Sequence, residues 1–150
     1  MFSFIAALLL AGTPQTVVEG PVQAPVLPTG PLVAVSATRD GGVYVAADSV
    51  TVSDIPGRVR GDAVLVTAGD VPLRVVTVWI DCVGNQFQLD SGRQYDASGQ
   101  QVAVTAWERD QPIPAGTGVA QMATVFCKTG GPDLSGLPVV VDWRAALAAR

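Results

Sequence analysis

The chain has 150 residues, a length usual for one domain. It is 49% hydrophobic and 15% charged, with a net charge of −4, 16 glycines, 11 prolines and no histidine. Its few, scattered Lys and Arg exclude a phosphate-tracking surface, so neither nucleic acid nor an anionic membrane is an expected partner; the missing His removes the commonest general base and transition-metal ligand, so no catalytic residue, metal or cofactor is expected.

Residues 2–11, Phe-Ser-Phe-Ile-Ala-Ala-Leu-Leu-Leu-Ala, form an apolar run too short to span a bilayer, which takes ~20 residues. The run fits the apolar core of a secretory signal peptide, and residues 1–12 are read as one. No Lys or Arg precedes it and no clean small-x-small cleavage site follows it; the other reading is a buried N-terminal strand or helix. No second long apolar stretch exists, so polytopic membrane insertion is not expected. Residues 13–31 carry Pro14, Pro21, Pro25, Pro28 and Pro31 without a period and read as a semi-extended linker. Residues 32–150 read as one domain.

Residues 32–38 alternate and suit a first strand, and Asp40-Gly41-Gly42 is a turn signal. Strand-like stretches follow at 43–47, 50–52 and 63–67, separated by Asp54-Ile55-Pro56-Gly57 and other turn residues. Residues 73–81, Leu-Arg-Val-Val-Thr-Val-Trp-Ile-Asp, make the strongest strand, dominated by β-branched and aromatic side chains. Gln86-Phe87-Gln88-Leu89 alternates, and Asp90-Ser91-Gly92 and Asp96-Ala97-Ser98-Gly99 read as turns. Residues 101–107 form the last clear strand. Pro112-Ile113-Pro114 reads as a rigid connector. Thr117 then caps a helix through Cys127, whose Val119, Met122, Ala123 and Phe126 share one face. Asp142 can cap a short final helix over 143–150.

Cys82 and Cys127 are the only cysteines, and in an exported chain a pair is most simply a disulfide. The pair closes a loop of about 45 residues, worth about 4 kcal/mol in the chain-entropy model. One cysteine ends the strongest strand and the other lies on the apolar helix face, so the bond ties helix to sheet. No Cys-x-x-Cys spacing supports a redox motif. Among polar residues, Asp81 reads as a turn cap, and Asp90, Asp96 and Asp110 as turn chemistry rather than a calcium loop. Trp79 and Trp107 read as core; Trp143, on a terminal helix, is a candidate binding residue. Arg58 and Arg60 share a face, with a solvated edge as the ordinary role and binding as the candidate one.

Several of these elements together resemble the surface-adhesin protein E family of bacterial exported domains. The resemblance covers residues 42–127. It is carried by Tyr44, Asp48-Ser49, Trp79-Ile80-Asp81-Cys82, Tyr95-Asp96-Ala97-Ser98-Gly99, Trp107 leading into Pro112-Ile113-Pro114, and the helix bearing Cys127. It implies an antiparallel sheet with a helix held on one face by the disulfide, and binding to matrix or serum glycoproteins. The chain departs from the family in having no lipid-anchoring Cys and few basic residues.

The expected fold is α+β: a curved antiparallel sheet of about six strands, one helix packed on it through the disulfide, and a short C-terminal helix. The expected function is non-enzymatic binding of a protein or glycoprotein, at the cell surface or in the periplasm. The alternative is a periplasmic cell-envelope accessory protein binding an envelope protein or peptide. A free sheet edge also offers a route to a homodimer.

Overall fold

The computed structural model describes residues 16–17, 24–105 and 108–149. The expected signal peptide, residues 1–12, and Trp107 lie outside them. In chain order the strands are β1 (Thr16–Val17), β2 (Leu32–Thr38), β3 (Gly41–Val45), β4 (Thr51–Ser53), β5 (Arg58–Thr67), β6 (Leu73–Asp81), β7 (Gln86–Tyr95), β8 (Gln101–Thr105), β9 (Glu108–Pro112) and β10 (Val139–Val140). The helices are α1 (Gly118–Phe126) and α2 (Trp143–Ala148).

All ten described strands belong to one open sheet. Its spine is the antiparallel trio β5–β6–β7, and on either side the long strands divide their edges between two shorter neighbours. β5 pairs with β3 over Ala63–Thr67 and with β4 over Val59–Arg60. β7 pairs with β8 toward Tyr95 and with β9 toward Gln86. β2 and then β10 extend the sheet beyond β3, and β1 adds a short parallel pairing to β4.

The strand rich in Val, Trp and Ile is the central one, as its composition predicts. In β6 every residue except Arg74 and Asp81 is buried. Successive strand residues point to opposite faces, so β6 demands apolar cover on both sides. On one face Val59, Ala63, Val76, Val78, Ile80 and Phe87 meet Met122, Val125 and Phe126 of α1. On the other, Tyr44, Val64, Val66, Leu73, Val75 and Tyr95 meet Trp143 and Ala146 of α2.

Both helices start where capping residues stand. The Thr117 side chain accepts from the Ala120 N–H, and the Asp142 side chain accepts from the Ala145 N–H. The disulfide Cys82–Cys127 joins the end of β6 to the end of α1, with the two Cα atoms 5.4 Å apart and the cysteines separated by 45 positions in sequence. Small residues let α1 come close. A Cβ on Gly61 would lie 2.7 Å from Phe126 Cζ, and one on Gly118 would lie 2.3 Å from Val43 Cγ2. Residues 24–31 run from β7, where the Leu27 N–H donates to the Tyr95 hydroxyl and Arg93 Nε donates to the Ala24 carbonyl, to the segment Ala46–Asp48 that follows β3.

The α+β expectation of about six strands is therefore corrected: the protein is mostly antiparallel sheet, and its two helices span nine and six residues. The difference has two sources. Short ladders such as β9 and β10 hold their place by pairing with a longer neighbour, not by an apolar repeat of their own. Asp90-Ser91-Gly92, expected as a turn, instead lies within β7, because the Asp90 side chain finds a buried partner in the sheet.

Among the described residues Phe126 is the largest fully buried side chain, and it seats over Gly61. Phe126→Ala should cost about 3–5 kcal/mol. Gly61→Ala should also destabilise, and Phe126→Leu should recover part of that loss in the double variant. Urea denaturation of the three variants checks the coupling.

Candidate functional site

The sheet face under α2 changes character along β5 and β6. Toward Val64 and Val66 it is apolar; toward Arg58 it is polar. Thr51, Arg60, Trp79 and Gln88 are successive cross-strand partners on β4, β5, β6 and β7, so they form one row across that face. Asp62 and Thr77 form a neighbouring pair, in which Thr77 Oγ1 donates to Asp62 Oδ1 at 2.7 Å.

Trp79 is the centre of the row. It is 3% exposed, and its indole N–H donates to Asp90 Oδ2 at 3.0 Å. Gln88 Nε2 donates to the other Asp90 oxygen at 3.0 Å, and Arg58 Nη2 donates to Gln88 Oε1 at 3.4 Å. The Arg58 and Arg60 guanidinium carbons lie 5.4 and 5.9 Å from the Trp79 ring centroid, within cation–π range. Arg58 also reaches Asp110 at 3.8 Å.

The two candidate arginines are thus brought together, but not on a solvated edge. β5 is paired on both sides, and the Arg58 side chain is only 17% exposed. Trp143 is placed elsewhere. It is 5% exposed in the apolar part of the same face, against Gly99, with the Arg144 guanidinium 4.4 Å from its ring centroid. Asp81 caps the turn after β6 by accepting from the Val83 and Gly84 N–H groups, as expected. Asp90 departs from its expected turn role and is the buried acceptor of the row. The alternation of Gln86-Phe87-Gln88-Leu89, continued one residue further, places Gln88 and Asp90 on the face opposite Phe87. The turn-like triplet at 90–92 concealed that signal.

Two other surfaces stand out. Asp81, Cys82, Asn85, Ile113, Ala123 and Cys127 border a groove of about 450 Å³ beside the disulfide. β8 ends the sheet, and among the described residues no strand pairs with its outer edge. It is an uncharged strand, Gln-Val-Ala-Val-Thr, with Val102 and Val104 50% and 60% exposed. The turn into β8 is built on Asp96. The Ser98 hydroxyl donates to its Oδ1 at 2.6 Å, joined by the Gln100 and Ser98 N–H groups at 3.0 and 2.9 Å. These bonds, that of the Ser98 hydroxyl first, hold the Asp96 carboxyl below the usual carboxylate range.

Among the described residues no group of three or more Cys, Asp or Glu side chains gathers as a metal site, and no helix is long and apolar enough to cross a membrane. No protein-family model, curated protein or solved structure matches the chain. The resemblance to surface-adhesin E accordingly rests on the sequence motifs alone.

Two outcomes follow from this geometry. Asp90→Ala strands the buried Trp79 N–H and should cost about 1–3 kcal/mol. Asp90→Asn keeps an acceptor and should cost less; urea midpoints and the Trp79 indole ¹H–¹⁵N resonance distinguish the two. For Asp96, a pKa lowered on folding means that the turn's contribution is complete above the unfolded value of ~3.9 and is lost as pH falls through the folded value below it. A carboxyl ¹³C titration should therefore give Asp96 a midpoint under ~3.9, and Ser98→Ala should raise it.

Proposed function

We propose that this chain is an exported, non-enzymatic binding domain, similar to surface-adhesin E, that takes an extended segment of a protein or glycoprotein as an added strand along β8. The observation that carries the reading is the state of that edge. Sheets ordinarily blunt their edges with charge, Pro or a covering element, because an unpaired row of N–H and C=O groups templates another strand. β8 has no charged residue and no Pro, and it exposes two valines. Main-chain bonds to an incoming strand would supply affinity, and the valine side chains selectivity.

Export is supported by the disulfide, which is of the kind made in oxidising compartments, and by the apolar run at residues 2–11. The non-enzymatic part of the reading rests on the sequence, which holds no His. The location separates two versions of the same activity: a surface domain contacting host or matrix glycoproteins, and a periplasmic accessory contacting an envelope protein or peptide.

The test pairs location with edge chemistry. Protease shaving of intact cells should remove the protein if it acts at the surface, whereas protection until the outer envelope is opened selects the periplasmic version. Binding of the mature domain to immobilised matrix glycoproteins, or to envelope extracts if it is periplasmic, should fall at least tenfold in Val104→Lys with thermal stability retained. Undiminished binding by that variant contradicts the edge as the contact. A wild-type dimer that Val104→Lys converts to monomer assigns the edge to a second copy instead.

A further inference from the structure

Pro25, Pro28 and Pro31, in the segment that leads into β2, stand three residues apart. Three residues per turn is the period of a polyproline II helix, and the fixed φ of proline favours it. Burial follows the same spacing: Pro25, Leu27 and Pro28 are half-buried, whereas Val26 and Thr29 are exposed. Among the described residues no backbone–backbone hydrogen bond ties residues 24–31 to the rest of the chain. Side chains hold the segment instead. The Tyr95 hydroxyl accepts from the Leu27 N–H at 3.0 Å, and Arg93 Nε donates to the Ala24 carbonyl at 3.2 Å. Leu27 packs against the core that contains Tyr95 and Trp143. A Cβ on Gly99 would lie 3.7 Å from Leu27 Cδ2 and 2.7 Å from Trp143 Cζ2, so the leucine and the indole meet over that glycine. On the other flank, clefts of about 390 and 380 Å³ lie between the prolines and the segment that follows β3, with Ala46 and Asp48 on the wall of both.

We infer that residues 24–31 are a displaceable strap, and that the surface beneath it, made by Arg93, Tyr95, Gly99 and Trp143, is a binding site for an extended, proline-containing peptide with a leucine anchor. The strap fills that site in cis. Its mode of contact is that of a bound peptide and not of a strand. A strand is held by ladder bonds, whereas a polyproline II segment makes no internal hydrogen bonds and offers its N–H and C=O groups to side chains, over aromatic rings. Arg93 and Tyr95, two apart on β7 and so on one face, take one C=O and one N–H of the strap. Tyr95 and Trp143 supply the rings, and Leu27 is the anchor. Release is local: withdrawing Leu27 and breaking two hydrogen bonds frees the segment while the ladders of the sheet stay paired. The prolines keep an incoming peptide extended, which lowers the cost of ordering it. This site lies on the sheet face and stands whether or not the β8 edge takes a partner strand.

The test has two arms, both on the full chain. Native-state hydrogen exchange of the unaltered protein reads the opening: the Leu27 N–H should exchange at least about a hundredfold faster than the amides of β6. The second arm adds a synthetic peptide of residues 24–31, Ala-Pro-Val-Leu-Pro-Thr-Gly-Pro, to ¹⁵N-labelled protein and follows the Gly99 amide and the Trp143 indole N–H. Leu27→Asp, whose own strap no longer docks, should bind the peptide saturably. The wild type should bind it at least about tenfold more weakly, because its strap competes at a roughly millimolar effective concentration. A peptide carrying Leu27→Asp should not bind, and one carrying Pro25→Ala and Pro28→Ala should bind about fivefold more weakly. Tyr95→Phe, added to the Leu27→Asp protein, should also weaken binding about fivefold. Thermal melts check that each variant is folded, and Leu27→Ala replaces Leu27→Asp if the latter is not. Exchange of Leu27 at the rate of the β6 amides would overturn the strap. No saturable binding by a folded Leu27 variant, binding as tight by the wild type as by that variant, or undiminished binding of the Leu27→Asp peptide would each overturn the site.

Discussion

β6 lies in the middle of the sheet with side chains buried on both faces, and a strand so placed needs a cover on each side. The two covers are short helices that would not persist alone: isolated helices under ~12–15 residues are marginal in water. Each is held by something besides its own propensity. α2 is started by Asp142 and anchored by Trp143 in the core. α1 is started by Thr117, seated by Phe126 over Gly61, and fixed covalently to the end of β6 by Cys82–Cys127. The disulfide closes a loop that takes in β7, β8, β9 and α1, so its constraint acts on three strands of the sheet as well as on the helix. In the chain-entropy model that closure is worth about 4 kcal/mol, a large part of the ~5–15 kcal/mol by which a domain is stable.

With α1 over one face and α2 over half of the other, polar chemistry sits in the half that lies under neither helix. The row from Thr51 to Gln88 occupies that half. Its members are not a loose surface group: a buried indole, a buried carboxylate and two stacked guanidinium groups hold one another in register across three strands. The polar row and the β8 edge lie on different parts of the sheet.

Much of this was legible in the sequence. The identity of β6, both helix caps, the turns at Asp54–Gly57 and Asp96–Gly99, and the cysteine pairing all follow from local residue types, and each is a feature decided within a few residues or by a count of two. What escaped was non-local. β9 and β10 carry little apolar periodicity and exist because β7 and β2 offer them backbone partners. Asp90-Ser91-Gly92 has turn composition but extended backbone, since the Trp79 indole and Gln88 satisfy the Asp90 carboxylate from within the sheet. Arg58 and Arg60 read as solvated because nothing in their own segment announces Trp79, which lies some twenty residues on along the chain and directly opposite Arg60 across the ladder. Trp143, expected nearer the surface, is drawn into the core by the gap above Gly99.

The Cys82–Cys127 bond, on this reading, keeps α1 on the sheet and so keeps β6 buried. Amide hydrogen exchange of the oxidised and reduced protein in the same buffer tests this most directly, residue by residue. On reduction the amides of α1 and of β6 should lose protection together, by about a thousandfold, the factor that ~4 kcal/mol represents. Unchanged protection of α1 and β6 after complete reduction of both cysteines would contradict it, and would show that the packing of Phe126 over Gly61 holds the helix on the sheet without the disulfide.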